Sequence, residues 1–371
     1  MRVVLTGSAG FLGWHTRLRL QALTDHEVIP VGRQNWQELG RLCEGAHAII
    51  HIAGVNRGED REVEHGNVSL AEAVAAAVRG ARGRPRIIFA NSTRSGEDSP
   101  YGRGKARASE TLRRVALERG ADLVDVRLPN LFGPHGRAGY NSFVATFVDA
   151  AIRGHAPTVE DRQIELLNVQ DAAAQLVHAL GGPAGEVRAR GAGHSVGAVW
   201  RQILHCHEVY AGRGQFPDLS TPFKVALFNT YRAALFPAHQ PIPLVPHTDA
   251  RGTFVEYAGC HGGPSQSSRS STQPGATRGD HFHLQKVERF SVLCGTAEIR
   301  LRRMFSDRVV RFRVTGDVPV AVDMPVGWAH SITNVGSEML TTNFWTNELF
   351  DPEASDTYAE SVESAGAEVG P

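Results

Sequence analysis

A glycine-spaced turn directly after a short apolar run constrains this chain more than any other feature. Val3-Val4-Leu5-Thr6 has the length and composition of a buried strand, and Gly7-Ser8-Ala9-Gly10-Phe11-Leu12-Gly13 follows it and opens a helical pattern. In that context a G-x-x-G-x-x-G turn lets backbone amides approach a pyrophosphate at the helix N-terminus. Gly7, Gly10, Phe11, Leu12 and Gly13 are therefore candidate cofactor-binding residues. Further apolar runs at 28–31, 48–52, 87–90 and 123–127 alternate with helical stretches such as 70–79 and 103–119. Strand and helix in alternation predict a doubly wound, Rossmann-like parallel sheet.

The second half of the chain has a different character. From 181 to 245 the pattern weakens under Gly, Pro and His, which reads as the end of the first domain plus a connecting segment. After Thr248, short strands at 290–293, 297–302, 309–314 and 340–345 lie between Gly, Pro and Asp turns, the pattern of a small antiparallel β-barrel. The Ser-, Gly- and Thr-rich stretch 262–279 fits either a loop or a polar-lined edge strand. The expected organisation is α/β followed by all-β, with domains at 1–245 and 246–360 and an acidic tail at 361–371.

Composition narrows the class. At roughly 100 to 200 residues per domain, 371 residues make two domains or three, and 42% hydrophobic with 21% charged residues excludes a disordered chain. No apolar run approaches the ~20 residues that span a bilayer, and the first residues enter a strand instead of a secretory leader, so the chain is expected in the cytoplasm and off the membrane. Cys43, Cys206, Cys260 and Cys294 are scattered, which argues for reduced thiols over a disulfide framework. With 39 basic and 39 acidic residues there is no global field to attract nucleic acid. Ten acids and no Lys or Arg follow Arg313, so the preceding residues carry a surplus of ten positive charges, as suits a phosphate-binding part.

Three features give the first domain its chemistry. The second strand ends in Val31-Gly32-Arg33, and a guanidinium at that place suits a 2′-phosphate, which favours NADP(H) over NAD(H). Tyr101-Gly102-Arg103-Gly104-Lys105 puts a phenol and an ammonium on one helix face, where the lysine would favour the phenolate and let the Tyr exchange a proton with a carbonyl oxygen. Just upstream, the fourth strand delivers Asn91-Ser92-Thr93 and with it a hydroxyl able to share the substrate oxygen.

This set, with His51-Ile52-Ala53-Gly54 after the third strand, Asn67 in the next helix and Arg127-Leu128-Pro129-Asn130-Leu131-Phe132-Gly133, resembles the extended short-chain dehydrogenase/reductase (SDR) superfamily over residues 1 to about 240. The resemblance implies Ser92, with Thr93 as runner-up, Tyr101 and Lys105 as catalytic residues. It adds Ala53, Gly54 and Lys105 to the cofactor site, with Arg33, and puts Asn130 over a nucleotide sugar. The stretch between Ser92 and Tyr101 is shorter than in the sugar epimerases and dehydratases of that superfamily.

In the second domain, Gly275-x5-His281-x-His283-x4-Glu288-x6-Gly295 precedes Pro325-Val326-Gly327-Trp328-Ala329-His330. Three imidazoles and a carboxylate on facing strands make a ligand shell for a divalent metal. The pattern resembles the cupin jelly-roll superfamily, which implies His281, His283, Glu288 and His330 as metal ligands, with zinc as the first expectation. Asp249-Ala250-Arg251-Gly252-Thr253-Phe254-Val255-Glu256 resembles a stretch of the nucleotide-sugar 3,5-epimerases, which implies substrate contacts from Arg251 and Glu256. Lys286, near the ligands, reads as a solvated lysine or as a base.

An SDR reductase joined to a metal cupin resembles the bifunctional capsular-polysaccharide enzymes, and Tyr140-Asn141-Ser142-Phe143 and Asn347-Glu348-Leu349-Phe350-Asp351-Pro352 look like their segments, with Asn141 at the substrate. That resemblance implies a homodimer whose cupin epimerises C3 of a UDP-4-keto-6-deoxy-N-acetylhexosamine and whose reductase then reduces C4 with NADPH, on a route to UDP-N-acetyl-L-fucosamine or a related deoxysugar. The alternatives are a 4-ketosugar reductase with a purely structural cupin and a non-enzymatic nucleotide-sugar sensor.

Overall fold

The computed structural model describes residues 1–140 and 142–363; Asn141 and the tail from 364 onward lie outside the described residues. The chain divides into two compact units, Met1–Thr146 with Val159–Ala198, and Phe147–Thr158 with Val199 onward.

In the first unit the described residues form a parallel sheet in the order Glu27–Val31, Arg2–Thr6, Ala48–His51, Arg86–Ser92, Leu123–Leu128, Gly185–Arg188. Its strands are apolar on both faces, as burial between two helix layers demands. Val3, Leu5, Ile50, Ile88 and Val126 point toward the helices Phe11–Leu23 and Val169–His178. Val4, Ile49, Ile87 and Phe89 point toward Asp60–Gly80 and Pro100–Arg119. Strand order reverses between Arg2–Thr6 and Ala48–His51, and in sheets of this type ligands bind in the crevice at such a switch point.

In the second unit two five-stranded antiparallel sheets enclose a core of Phe290, Val292, Ile299, Leu301, Met324 and Ile332. One sheet runs Ile242–Pro243, Val320–Met324, Glu288–Cys294, Leu340–Thr346, Gln266–Thr272; the other runs Val309–Thr315, Thr296–Arg303, Trp328–Asn334, Thr277–Phe282, Tyr358–Ala359. This all-antiparallel architecture is consistent with a cupin. The Ser-rich stretch is the edge strand Gln266–Thr272, paired with Leu340–Thr346. The helix Pro222–Leu235 packs on the barrel through Arg232, which is buried and donates to the carbonyls of Met324 (2.6 Å) and Lys286 (3.0 Å). Among the described residues no helix is long and apolar enough to cross a membrane, and the four cysteines are free.

Candidate active site and metal centre

The glycine turn sits at the switch point with no room to spare. Gly7 has φ +71°, and a Cβ there would lie 2.7 Å from Ala53 N; a Cβ on Gly13 would lie 2.0 Å from Gly7 O. Contacts that close exclude any side chain, so the backbone of the turn stays open to a ligand at the start of Phe11–Leu23. The switch point thus fits a dinucleotide at the turn from Gly7 to Gly13, against which the Ala53 backbone packs. Arg33 stands exposed just past the strand Glu27–Val31. The loop carrying Gly54 is stapled by Asn67, which donates to the carbonyls of Val55 (2.7 Å) and Val63 (2.8 Å).

Ser92 ends its strand, and Tyr101 lies in the first turn of the helix Pro100–Arg119, whose start is fixed by Ser99 accepting from Gly102 N at 3.0 Å. The Ser92 hydroxyl lies close enough to the Tyr101 phenol to favour its ionised form. Burial pushes the phenol up, against opposing effects of Ser92 and the nearby Arg94 charge. Lys105 is buried, donates to Ala90 O at 2.7 Å and lies 4.4 Å from the Phe89 ring centroid. Burial pulls its ammonium down to about 8, partly offset by the Asp125 carboxylate. In this arrangement Lys105 is anchored on the strand backbone, and the hydroxyl of Ser92 stands beside the phenol.

Beneath these residues lies a polar network that motif reading missed. Asp125 accepts from Ser109 Oγ and from Asn91 Nδ2 (3.1 Å), and Asn91 Oδ1 accepts the backbone N–H of Ser92 at 2.8 Å. His51, stacked on Phe89, lies 2.8 Å from Thr6 Oγ1, and burial followed by the Lys105 charge lowers it to about 3. The sequence signal for Asp125 is one acid inside the otherwise buried strand Leu123–Leu128. Asn130 is exposed and donates to Glu165 O at 3.3 Å.

In the barrel, ligand atoms of His281, His283, Glu288 and His330 lie within 4.8 Å of one another. His283 Nδ1 donates to the Asp356 carbonyl and His330 Nδ1 donates to the Trp328 carbonyl at 3.0 Å, which leaves both Nε2 atoms with lone pairs. Each Nε2 is 3.1 Å from Glu288 Oε2. Two lone pairs facing a carboxylate repel unless a cation or proton joins them, and bonds of 2.0–2.1 Å to tetrahedral zinc put ligands about 3.3 Å apart. The donor set therefore fits a divalent ion. Without an ion, protons on the Nε2 atoms of His283 and His330 would play that part: burial raises the Glu288 carboxyl, and protonated neighbours outweigh it and hold it well below the ordinary range. His281 is lowered to about 3 by burial and by its imidazole neighbours. Lys286 is not solvated: it is buried and reaches Glu348 Oε1 and Thr357 Oγ1, each at 3.2 Å. Arg251 and Glu256 belong to the exposed hairpin Pro246–Asp249 and Gly252–Val255, where Arg251 pairs with Asp249.

A nucleotide-binding parallel sheet with a Ser–Tyr–Lys set, carried on one chain with a His/Glu cupin, defines a two-part enzyme class. Residues 3–189 match the NAD dependent epimerase/dehydratase family and residues 247–358 match the polysaccharide biosynthesis C-terminal domain. The chain belongs to this epimerase/dehydratase family, in its CapF-like form that carries the second domain. It is 32% identical over 375 residues to a UDP-2-acetamido-2,6-beta-L-arabino-hexul-4-ose reductase of Pseudomonas aeruginosa, covering 98% of this chain and 99% of that one. The crystal structure of the capsular polysaccharide assembling protein CapF of Staphylococcus aureus is similar with a TM-score of 0.61 at 31% identity, covering 97% of this chain and 100% of that one. A UDP-N-acetylglucosamine 4-epimerase of Methanobrevibacter ruminantium shares the fold over 63% of this chain and 98% of its own, with a TM-score of 0.55 and 17% identity.

Proposed function

We propose that this chain is a bifunctional nucleotide-sugar enzyme whose first unit reduces the C4 ketone of a UDP-4-keto-6-deoxy-N-acetylhexosamine with NADPH and whose second unit epimerises C3 of the same sugar. The reading is carried by the placement of Ser92 at the end of its strand beside Tyr101 in the first turn of the following helix, since a pure sensor needs no proton donor there. It is supported by the end-to-end similarity to a UDP-hexul-4-ose reductase.

In the reductase, Ser92 Oγ donates to the C4 oxygen and Tyr101 gives it a proton as the carbonyl becomes an alcohol. Gly7, Gly10, Phe11, Leu12, Gly13, Ala53, Gly54 and Lys105 hold the cofactor and Arg33 selects its 2′-phosphate. NADPH, when bound, supplies the hydride.

In the cupin, His281, His283, Glu288 and His330 hold a divalent metal, zinc by ligand type. When bound, that ion stabilises the negative charge that develops on the ketone oxygen as C3 loses its proton. Removing the C3 proton requires the C4 ketone that reduction destroys, so epimerisation comes first. Arg251 and Glu256 are assigned to the substrate on their motif.

The test is incubation with NADPH and the UDP-4-keto sugar in deuterated water, read by NMR. Deuterium at C3 together with NADPH oxidation is expected. NADPH oxidation without exchange would leave a reductase with a structural cupin.

A further inference from the structure

We infer that Asp356 is the positioning residue that aims His283 into the metal-ligand cluster; this rests on reading that cluster as a metal site. Asp356 grips the neighbourhood of His283 twice. Its main-chain carbonyl accepts from His283 Nδ1, which fixes the ring so that Nε2 faces Glu288. Its carboxylate accepts three successive backbone amides, from Leu284 (2.9 Å), Gln285 (2.7 Å) and Lys286 (2.8 Å).

Those residues form the loop between the strands Thr277–Phe282 and Glu288–Cys294, so they join one ligand, His283, to the next, Glu288. The remaining polar groups of the loop are held from other sides. Val287 N donates to Asn347 Oδ1 at 2.7 Å, and Asn229 and Arg232 donate to the carbonyls of Gln285 (2.6 Å) and Lys286 (3.0 Å). Two residues beyond Asp356, Tyr358 pairs with Phe282 and Ala359 with His281, so the strand Tyr358–Ala359 sets where Asp356 stands. The carboxylate fixes the carbonyl's distance to His283, and a side chain lacking that grip releases the carbonyl as well.

The experiment uses the full chain, stripped of metal, in four forms: wild type, Asp356→Ala, Asp356→Asn and Asp351→Ala, the last an exposed acid of the same segment. Zinc affinity is read by competition with a chromophoric chelator, and site geometry by the visible absorption of the cobalt(II)-loaded protein. Asp356→Ala should bind zinc about 10- to 100-fold more weakly, the usual cost of losing a ligand-orienting partner. Its cobalt spectrum should change, Asp356→Asn should fall between it and wild type, and Asp351→Ala should match wild type. Wild-type affinity and an unchanged cobalt spectrum in Asp356→Ala would overturn the inference, even if thermal stability fell. Where Asp356→Ala does not fold, Asp356→Asn decides by the same two readouts. A wild-type protein that takes up neither ion would overturn the metal reading and this inference with it, whereas tight wild-type binding matched by the variants overturns this inference alone.

Discussion

Asn91 and Asp125 lie on neighbouring parallel strands, and Asn91 Nδ2 donates to Asp125 Oδ2 over 3.1 Å while Asn91 Oδ1 takes the N–H of Ser92 at 2.8 Å. The amide is thereby locked in one orientation: turned over, it would set an oxygen against a carboxylate and an NH2 against an N–H. The buried acid thus determines how Ser92 is presented, two bonds removed. Asn91→Ala should leave Ser92 N–H without its acceptor and Asp125 with Ser109 as its one remaining side-chain donor, costing about 1–3 kcal/mol of stability. Because the hydroxyl is then misplaced, kcat should fall more than KM rises. Urea unfolding and steady-state kinetics check both, and an unchanged kcat in a destabilised variant would mean that the network serves folding alone.

Tyr101→Phe should abolish NADPH oxidation and spare solvent deuterium exchange at C3. Without the phenol the developing alkoxide has no proton donor, a loss of roughly 10² to 10⁴-fold for general acid catalysis. NMR of the sugar after incubation in deuterated water reads the exchange, and parallel loss of both activities would contradict the division of labour between the units.

Arg33→Ala should weaken NADPH about ten- to a hundredfold and leave NADH nearly unaffected, as expected for losing charge-assisted hydrogen bonds to one phosphate. Fluorescence titration with each cofactor gives the ratio. Equal weakening of the two would assign Arg33 another task.

His281→Ala should deplete bound zinc and stop C3 exchange while reduction at C4 continues, giving the unepimerised 4-hydroxy sugar. Elemental analysis and NMR of the product decide it; normal exchange in a metal-depleted variant would make the ion structural.

Acid should loosen the first unit through His51. Its ordinary value of about 6.5 holds in the unfolded chain, whereas burial keeps it near 3 in the fold. The unfolded chain therefore takes up the proton first. The stability His51 contributes is fully present above pH 6.5 and is lost toward pH 3, by at most about 1.4 kcal/mol per pH unit. Denaturant unfolding of wild type and His51→Gln between pH 7 and pH 4 should show the shallower dependence in the variant, and identical slopes would assign the acid sensitivity elsewhere.

Much of this architecture was legible in the sequence because it rests on local rules. Val3 to Gly13 announces strand, turn and helix by spacing alone, and His281, His283 and Glu288 fall close together on two strands and the short loop that joins them. Lateral relationships left no such trace. Asn91 and Asp125 meet only because their strands pair, and Asp356 comes from a stretch that reads as acidic surface. Within the weakly patterned stretch 181–245, polar residues have distant partners: Tyr210 donates to Asp323, and Arg232 to Met324 O and Lys286 O. Lys286 reads as solvated for the same reason, since Glu348 and Thr357 lie far along the chain.

The closeness of Gly7 to Ala53 and of Gly13 to Gly7 has a bearing on how this cofactor site can be remodelled. At the floor of the crevice even one added methyl would meet backbone at 2.7 Å and 2.0 Å, so substitution there is barred whatever the cofactor. At the rim the situation is reversed: a Cβ on Gly32 would meet nothing within 4 Å, and Arg33 is already exposed. If Arg33 selects the 2′-phosphate as proposed, mutational tolerance and cofactor choice coincide at positions 32 and 33, and a change of nicotinamide preference should proceed there without disturbing the glycine turn.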